Sequence, residues 1–371
     1  MEPICAEVNL GAIRRNFQAL TAILSPQTGI MAVVKADAYG HGAVPVAREL
    51  LQAGSRQLAV ARVLEGEELR AAGITAPVLV LGLIEPRQAA KAISLDLSLA
   101  VASKDLAQAL SSAAVEQGKT CPVHVKVDTG MGRIGIRPSQ ARDFIRWLQE
   151  LPGIKVEGVF SHFATADSHD KTVARQQLAQ FTALKKDLEG LEIPNFHLAN
   201  SAGILNFPQA HFSLVRPGIA LYGLPPSQER EPRVKLEPAL TWKARLNFIK
   251  ELPPGSGISY GHTFHTTRQT VVGTVSVGYA DGYSRLLSNS GQMLVGGRRV
   301  PVVGRVCMDQ TMVDLTDLVA HGARPKVGDE VVLIGRQGSE EITAEEVARK
   351  LGTINYEVVC GISKRVPRLY R

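Results

Sequence analysis

The sequence predicts an eight-stranded β/α barrel followed by a mainly β domain. Apolar runs of strand length alternate with helix-period stretches up to Tyr222, and these strands are apolar on both faces, as parallel strands covered by helices must be. The texture then changes. Residues 223–235 are rich in Pro, Gly and charge and read as a linker, and beyond them short alternating runs are separated by Gly or Pro turns. The expected domains are a barrel over 1–230 and a β domain over 231–371.

A strand-like run at 5–9 leads into an amphipathic helix capped by Asn9. Residues 29–42, Gly-Ile-Met-Ala-Val-Val-Lys-Ala-Asp-Ala-Tyr-Gly-His-Gly, read as a buried strand and a small Gly-rich turn, followed by a helix with Pro45 in its first turn. Further strands are expected at 57–63, 77–83, 97–102, 121–128, 155–162, 195–200 and 213–221, with helices at 63–72, 103–117, 139–151 and 171–188. Together with the strand before Lys35 this suits an eight-stranded barrel. Lys35, Lys126, His162, Asn200 and Arg216 fall at or near the carboxyl ends of these strands. In a barrel those ends share one face, so the five residues converge over one cavity. An open doubly wound sheet, the alternative, offers only a crevice. In the second domain strands are expected at 240–250, 270–278, 292–296, 299–308 and 329–335. One helix, Thr343 to Leu351, opens on a capping-box pattern of Thr343 and Glu346.

Composition narrows the function classes. The 371 residues are 45% hydrophobic and 21% charged, ordinary for a soluble globular protein and enough for two domains. The net charge of +7 suggests affinity for anions. Basic residues are scattered, except for Lys364, Arg365, Arg368 and Arg371, and aromatics are not interleaved with them, which argues against nucleic acid as a partner. The four cysteines, Cys5, Cys121, Cys307 and Cys360, form no CxxC and have no histidine at zinc spacing, so no metal is expected. Cys5, Cys121 and Cys360 read as small buried hydrophobes, which suits a reducing cytoplasm. No secretory leader and no membrane span is expected.

Lys35 draws attention on physical grounds. An ammonium at the end of a buried strand is costly unless paired or neutralised. A lysine whose pKa is lowered by burial is suited to imine formation with an aldehyde. In the loop Lys126-Val-Asp-Thr-Gly-Met-Gly-Arg133-Ile-Gly-Ile, three glycines permit tight turns and close backbone approach to a ligand, and Arg133 offers a planar fork to a carboxylate or phenolate oxygen. Ser201, opening a helix, is a ready anion contact, and Asn200 is an ordinary cap.

The segment Val33-Val34-Lys35-Ala36-Asp37-Ala38-Tyr39-Gly40-His41-Gly42 resembles, nearly letter for letter, the pyridoxal 5'-phosphate attachment segment of alanine racemases. The Lys126 to Arg133 loop resembles a second signature of that family. So do Ser161-His162-Phe163-Ala164, Arg216-Pro217-Gly218-Ile219, Ser259-Tyr260-Gly261-His262, Gly278 to Tyr283, Cys307-Met308-Asp309 and Asn355-Tyr356-Glu357. The resemblance thus spans essentially the whole chain. It implies that Lys35 carries the cofactor as an imine, that Tyr39, Ser201, Gly218, Ile219 and Tyr356 meet its phosphate, with Asn200 beside Ser201, and that Arg216 sits on its pyridine nitrogen beside His162. It implies that Arg133 contacts the cofactor phenolate and the substrate carboxylate, that the Met308 amide also meets the carboxylate, and that Tyr283 lines the access channel. Lys126, a like charge to Arg133, is often carbamylated in the family. Lys35 and Tyr260 are the implied pair of catalytic bases, and the implied assembly is a homodimer with shared active sites that interconverts L- and D-alanine. A serine or broad-specificity racemase on the same scaffold is the nearest rival. A non-catalytic pyridoxal-phosphate-binding protein is a lone barrel, so the second domain with Tyr260 argues against it.

Overall fold

The computed structural model describes residues 2–227 and 234–371. Two compact units result: Ala12–Glu237, and a second made of Met1–Gly11 with Pro238–Arg371. The boundary expected at 230/231 lies outside the described residues, and the first eleven residues belong to the β unit rather than to the barrel. The reason is strand pairing. Ile4–Val8 runs antiparallel to Leu240–Leu252 and parallel to Arg368–Tyr370.

In the unit Ala12–Glu237, eight parallel strands follow one another around a barrel: Leu214–Val215, Gly29–Val33, Gln57–Val60, Val78–Val80, Ser98–Val101, Cys121–Lys126, Ile154–Phe160 and Asn195–His197. Every residue of Gly29–Val33, Val78–Val80 and Ser98–Val101 is buried, which is why the sequence shows continuous apolar runs there and not alternation. The first and last strands of this order meet through a parallel bridge between Asn200 and Arg216, where the Arg216 amide donates to the Ala199 carbonyl at 2.9 Å. Leu214–Val215 is far shorter than the run expected at 213–221, because Pro217 and the tight turn at Ile219–Tyr222 end the ladder. The expected helices are present as Val63–Ala71, Lys104–Glu116, Ala141–Gln149 and Thr172–Asp187, and Ala89–Ser94 is an addition. Ser103 caps its helix by accepting from the Leu106 amide.

In the β unit, Leu240–Leu252 is the long central strand, pairing with Ile4–Val8, Thr270–Val275 and Glu330–Gln337. The strand expected at 299–308 stops at Pro301, and Gly304 turns the chain at φ +77. Thr343 caps Ala344–Leu351 as expected, but Thr316–Ala320 and Asn355–Cys360 are helical too. Asn355–Cys360 leaves Cys360 exposed, contrary to the reading of that thiol as a buried hydrophobe; Cys121 is buried and Cys5 half-buried.

One side chain fastens the loops that start two barrel strands. Arg70 donates to the carbonyls of Leu95, Ile74, Ala76 and Asp96 at 2.7–2.9 Å. Arg70→Met removes all four donors from half-buried acceptors, a loss of about 2–3 kcal/mol. The expected outcome is a melting temperature roughly 5–10 °C lower by calorimetry; a shift under about 1 °C would mean that water replaces the guanidinium without cost.

Candidate active site

Lys35 stands two residues beyond Gly29–Val33, and the backbone after it is unusual. Ala36, Asp37, Ala38 and Tyr39 have φ of 53, 54, 51 and 54, one turn of left-handed helix built from four non-glycine residues. Left-handed geometry costs roughly 1–2 kcal/mol per such residue, so neighbours must hold it. Glu65 Oε1 accepts from the Ala36 amide at 2.8 Å, and Asp37 Oδ1 accepts from the Ala43 amide at 2.7 Å. Tyr39 is buried against the ring of Tyr222, centroids 5.0 Å apart, and Tyr222 Oη donates to the Val33 carbonyl at 2.9 Å. Strain held in this way is a mark of functional sites.

Register builds the opposite wall. Lys126 pairs with Phe160, and Phe160 with His197, so the three lie side by side across neighbouring strands. The His197 and Phe160 rings stack at 4.9 Å. Arg216, only 3% exposed, enters this layer. Its Nη1 donates to His197 Nδ1 at 2.8 Å, and its Nη2 donates to the carbonyls of Ser161 (2.7 Å) and Leu198 (3.1 Å) and to His162 Nδ1 at 3.3 Å. None of these contacts uses Nε, and none is to a carboxylate.

Arginine only donates, which fixes the tautomers around it. His197 must accept at Nδ1 and carry its proton on Nε2. That proton is donated at 2.8 Å to His124 Nδ1, so His124 is protonated on Nε2, a buried atom with no hydrogen-bond partner among the described residues. Gly158 makes room for the ring: a Cβ there would sit 2.3 Å from His124 Nδ1. Burial foremost, then Arg216, pulls His124 down to about 3 and holds His197 well below the usual histidine range. His162 is held low by burial, then by Arg216, Arg133, Lys126 and Lys35, so the expected cations do converge on one place. Arg216 itself is pulled down to about 9 by burial. His197 is the nearer imidazole to Arg216, not His162, and neither His197 nor His124 stood out in the sequence. The signal that could have found them is a histidine inside an otherwise apolar strand.

Lys126 is buried, donates to the Val127 carbonyl at 2.9 Å and lies 5.3 Å from the Phe160 ring centroid. Burial, then Arg216 and Arg133, lower it to about 7, with Asp128 opposing. Arg133 is exposed on the following loop, which Asp128 organises by accepting from the amides of Gly130, Met131 and Gly132. Across the site, Ser201 Oγ accepts from the Gly218 amide at 2.9 Å and from the Ala220 amide at 3.3 Å. A Cβ on Gly218 would sit 2.4 Å from Tyr39 Oη, so only glycine admits the tyrosine here. Ile219 follows, buried, and Asn200 caps the short helix by accepting from the Gly203 amide.

Tyr260, Tyr283, Met308 and Tyr356 belong to the β unit. Tyr260 lies in the turn between Gly257–Ile258 and Phe264–His265 and is 71% exposed. Met308 is exposed, with its carbonyl accepting from the Ala280 amide at 3.0 Å. Tyr356 is half-buried in Asn355–Cys360. Tyr283 departs from its expected role: it is 3% exposed, with its ring set edge-on to Trp242, and a ring so enclosed cannot line an open channel. Tyr279, 42% exposed in the same segment, is the tyrosine that offers surface.

The chain as a whole has close counterparts among known proteins. Residues 8–226 match the model of the alanine racemase N-terminal domain, and 239–370 that of the C-terminal domain. The alanine racemase of Halothermothrix orenii is 48% identical over 100% of this chain and 97% of its own, and that of Symbiobacterium thermophilum is 50% identical over 100% and 97%. Among solved structures, an alanine racemase from Clostridium difficile matches with TM-score 0.95 at 41% identity, covering 100% of this chain and 96% of that one. The Bacillus anthracis alanine racemase with bound L-Ala-P matches at 0.93 and 42%, covering 100% and 95%. The chain therefore belongs to the alanine racemase family, enzymes that interconvert L- and D-alanine.

Proposed function

We propose that this racemase works with pyridoxal 5'-phosphate and two bases, Lys35 and Tyr260, set on opposite faces of the substrate α-carbon. The observation that carries the reading is Arg216, a 3% exposed guanidinium whose contacts are all neutral acceptors and leave Nε for one more. A pyridine nitrogen is such an acceptor. The remaining residues fit the same group. Lys35 supplies an amine for the aldehyde, and Tyr39, Ser201, the amides of Gly218 and Ile219, and Tyr356 supply donors for the phosphate.

When bound, the cofactor draws electron density from the α-carbon and so acidifies its hydrogen. The chain's own groups then govern the proton. Lys35 Nζ takes it from one face while Tyr260 Oη delivers one to the other, and the roles exchange in the reverse direction. Arg216, cationic near neutral pH and donor-only, discourages protonation of the atom that accepts from Nε. His197 and His162 hold its terminal nitrogens in place. Arg133 and the Met308 amide orient the substrate carboxylate. Lys126, lowered to about 7, is neutral enough near pH 7 to add carbon dioxide, releasing one proton and becoming a carbamate anion that steadies Arg133.

The working form in this reading is a homodimer, with Tyr260 and Met308 serving the partner's barrel. The exposure of both side chains in this chain supports that arrangement. Four free cysteines support a reducing cytoplasm, where D-alanine would supply peptidoglycan. No helix among the described residues is long and apolar enough to cross a membrane.

Borohydride reduction followed by peptide mapping should fix the cofactor on Lys35, and Lys35→Ala should lose on the order of 10⁴-fold or more in kcat; a label on another lysine sinks the reading. Mixing Lys35→Ala with Tyr260→Phe subunits should restore one working site per heterodimer. If subunits exchange and no activity returns, each site is made by one chain. Lys126 gives a pH signature in carbonate-free buffer. Its folded value of about 7 lies below the ordinary 10.5, so the unfolded chain binds more protons across that window and stability rises with pH through it. The wild type should gain several degrees in melting temperature from pH 7 to 9.5 relative to Lys126→Met, and bicarbonate should flatten the difference. Parallel pH profiles in both proteins would exclude a buried, titrating amine.

A further inference from the structure

Tyr260 is 71% exposed, so packing within its own unit does not aim the ring, and the backbone must. That backbone is strained. Ser259, the residue before it, has φ 65 and ψ −174, a region that essentially only glycine enters. Gly261 and His262 follow the tyrosine at φ 72 and 44. A serine in such a conformation persists only where its surroundings hold it. The Ser259 hydroxyl donates to the Arg305 carbonyl at 2.7 Å, and Cys307 Sγ lies 3.4 Å from the same oxygen. Gly304 permits this approach, since a Cβ there would lie 2.8 Å from Ser259 Cβ.

The acceptor is itself fixed. The Gly304 amide donates to Asn289 Oδ1 at 2.6 Å, the Val306 amide to Ser288 Oγ at 3.0 Å and the Cys307 amide to the Gln310 carbonyl at 2.9 Å. The carbonyls of Cys307 and Met308 accept in turn from the amides of Tyr279 and Ala280, each at 3.0 Å. Residues 304–308 thus form a braced frame that carries Met308, and Ser259 ties the Tyr260 turn to it. Glycine would take this backbone conformation without strain. Serine is tolerated here for its hydroxyl, which glycine lacks.

We infer that Ser259 is a positioning residue: its hydrogen bond to the Arg305 carbonyl sets the direction of Tyr260 Oη relative to the Met308 amide. The inference rests on the reading of Tyr260 as one of the two bases and of the Met308 amide as a contact of the substrate carboxylate. On that reading the proton-transferring oxygen and the carboxylate anchor stand on one frame, so the distance between them is held even though both side chains are exposed.

Ser259→Gly in the full-length holoenzyme removes the strain and the hydroxyl together. It should leave the melting temperature within about 2 °C of wild type and lower kcat by roughly 10- to 100-fold, with KM changed less than about threefold. Ser259→Ala, which keeps the strain and loses the hydroxyl, should show the same loss of kcat and melt below Ser259→Gly. Alanine deuterated at the α-carbon gives a readout that general loosening would not. Tyr260 serves one face, so with its oxygen displaced its step limits the rate more. The deuterium isotope effect on kcat should rise for the enantiomer whose hydrogen Tyr260 removes and fall for the mirror image. In protein labelled with 3-fluorotyrosine and free of substrate, the Tyr260 fluorine resonance, assigned by its absence in Tyr260→Phe, should shift or broaden in Ser259→Gly while that of Tyr222 stays. Wild-type kcat and isotope effects in folded Ser259→Gly overturn the inference, as do isotope effects that change alike for both enantiomers. Tyr260→Phe separates the two ways of failing. If it keeps its turnover, the reading of Tyr260 falls and this inference with it; if it is inactive while Ser259→Gly behaves as wild type, only the role of Ser259 falls.

Discussion

Arg216 carries its charge into the closing seam of the barrel and meets only neutral acceptors there: His197, His162 and the carbonyls of Ser161 and Leu198. Burying an ion costs several kcal/mol, and hydrogen bonds to a charged group return about 1.5–3 kcal/mol each. Four such bonds suffice to keep the guanidinium charged even though burial draws it down to about 9. The surroundings follow from that charge. Three imidazoles are kept neutral, each with its tautomer set by donation running outward from the arginine, and the Lys126 amine is lowered by the same neighbour. A lysine could not replace it, because a point charge with three donors cannot bridge four acceptors at the ends of two neighbouring strands in one plane.

The same residue joins structure to chemistry. Its backbone forms the bridge with Asn200 that completes the circle of strands, while its side chain spans the layer formed by Lys126, Phe160 and His197. Across the site, the left-handed turn after Lys35 is held from outside by Glu65, which also accepts from the Ala61 and Arg62 amides and so belongs to the next strand–helix junction. Each side of the site is thus braced by a neighbour in the barrel order.

Much of this was legible in the sequence. Eight apolar runs and their helices were readable because parallel strands buried on both faces leave unbroken apolar stretches. The convergence of Lys35, Lys126, His162 and Arg216 followed from their places at strand ends. What failed has physical reasons too. The left-handed turn uses Ala36 to Tyr39, none of which advertises positive φ, because long-range contacts and not local preference hold it. His124 and His197 were invisible because a histidine paired across strands looks like any core histidine in one dimension. Tyr283 was assigned a channel that it is too buried to line, since a motif gives residue type but not the direction a side chain faces. Cys360 reads as a core residue because it adjoins apolar residues, but it ends the helix Asn355–Cys360 in an exposed position.

The first strand carries the hardest lesson for reading domains along a chain. Ile4–Val8 precedes the barrel in sequence yet lies between Leu240–Leu252 and Arg368–Tyr370 in the β sheet. Its neighbours are some 230 and 360 residues away, separations that require nearly the whole chain before the sheet can close. A fragment cut at the linker would leave Leu240–Leu252 and Arg368–Tyr370 with unpaired edges facing one another across a missing strand, an arrangement prone to foreign pairing. The chain therefore passes between the two units twice, once at Gly11–Ala12 and once at Glu237–Pro238. The β unit that holds Tyr260 cannot assemble as a simple C-terminal piece, and its sheet depends on residues made before the barrel exists.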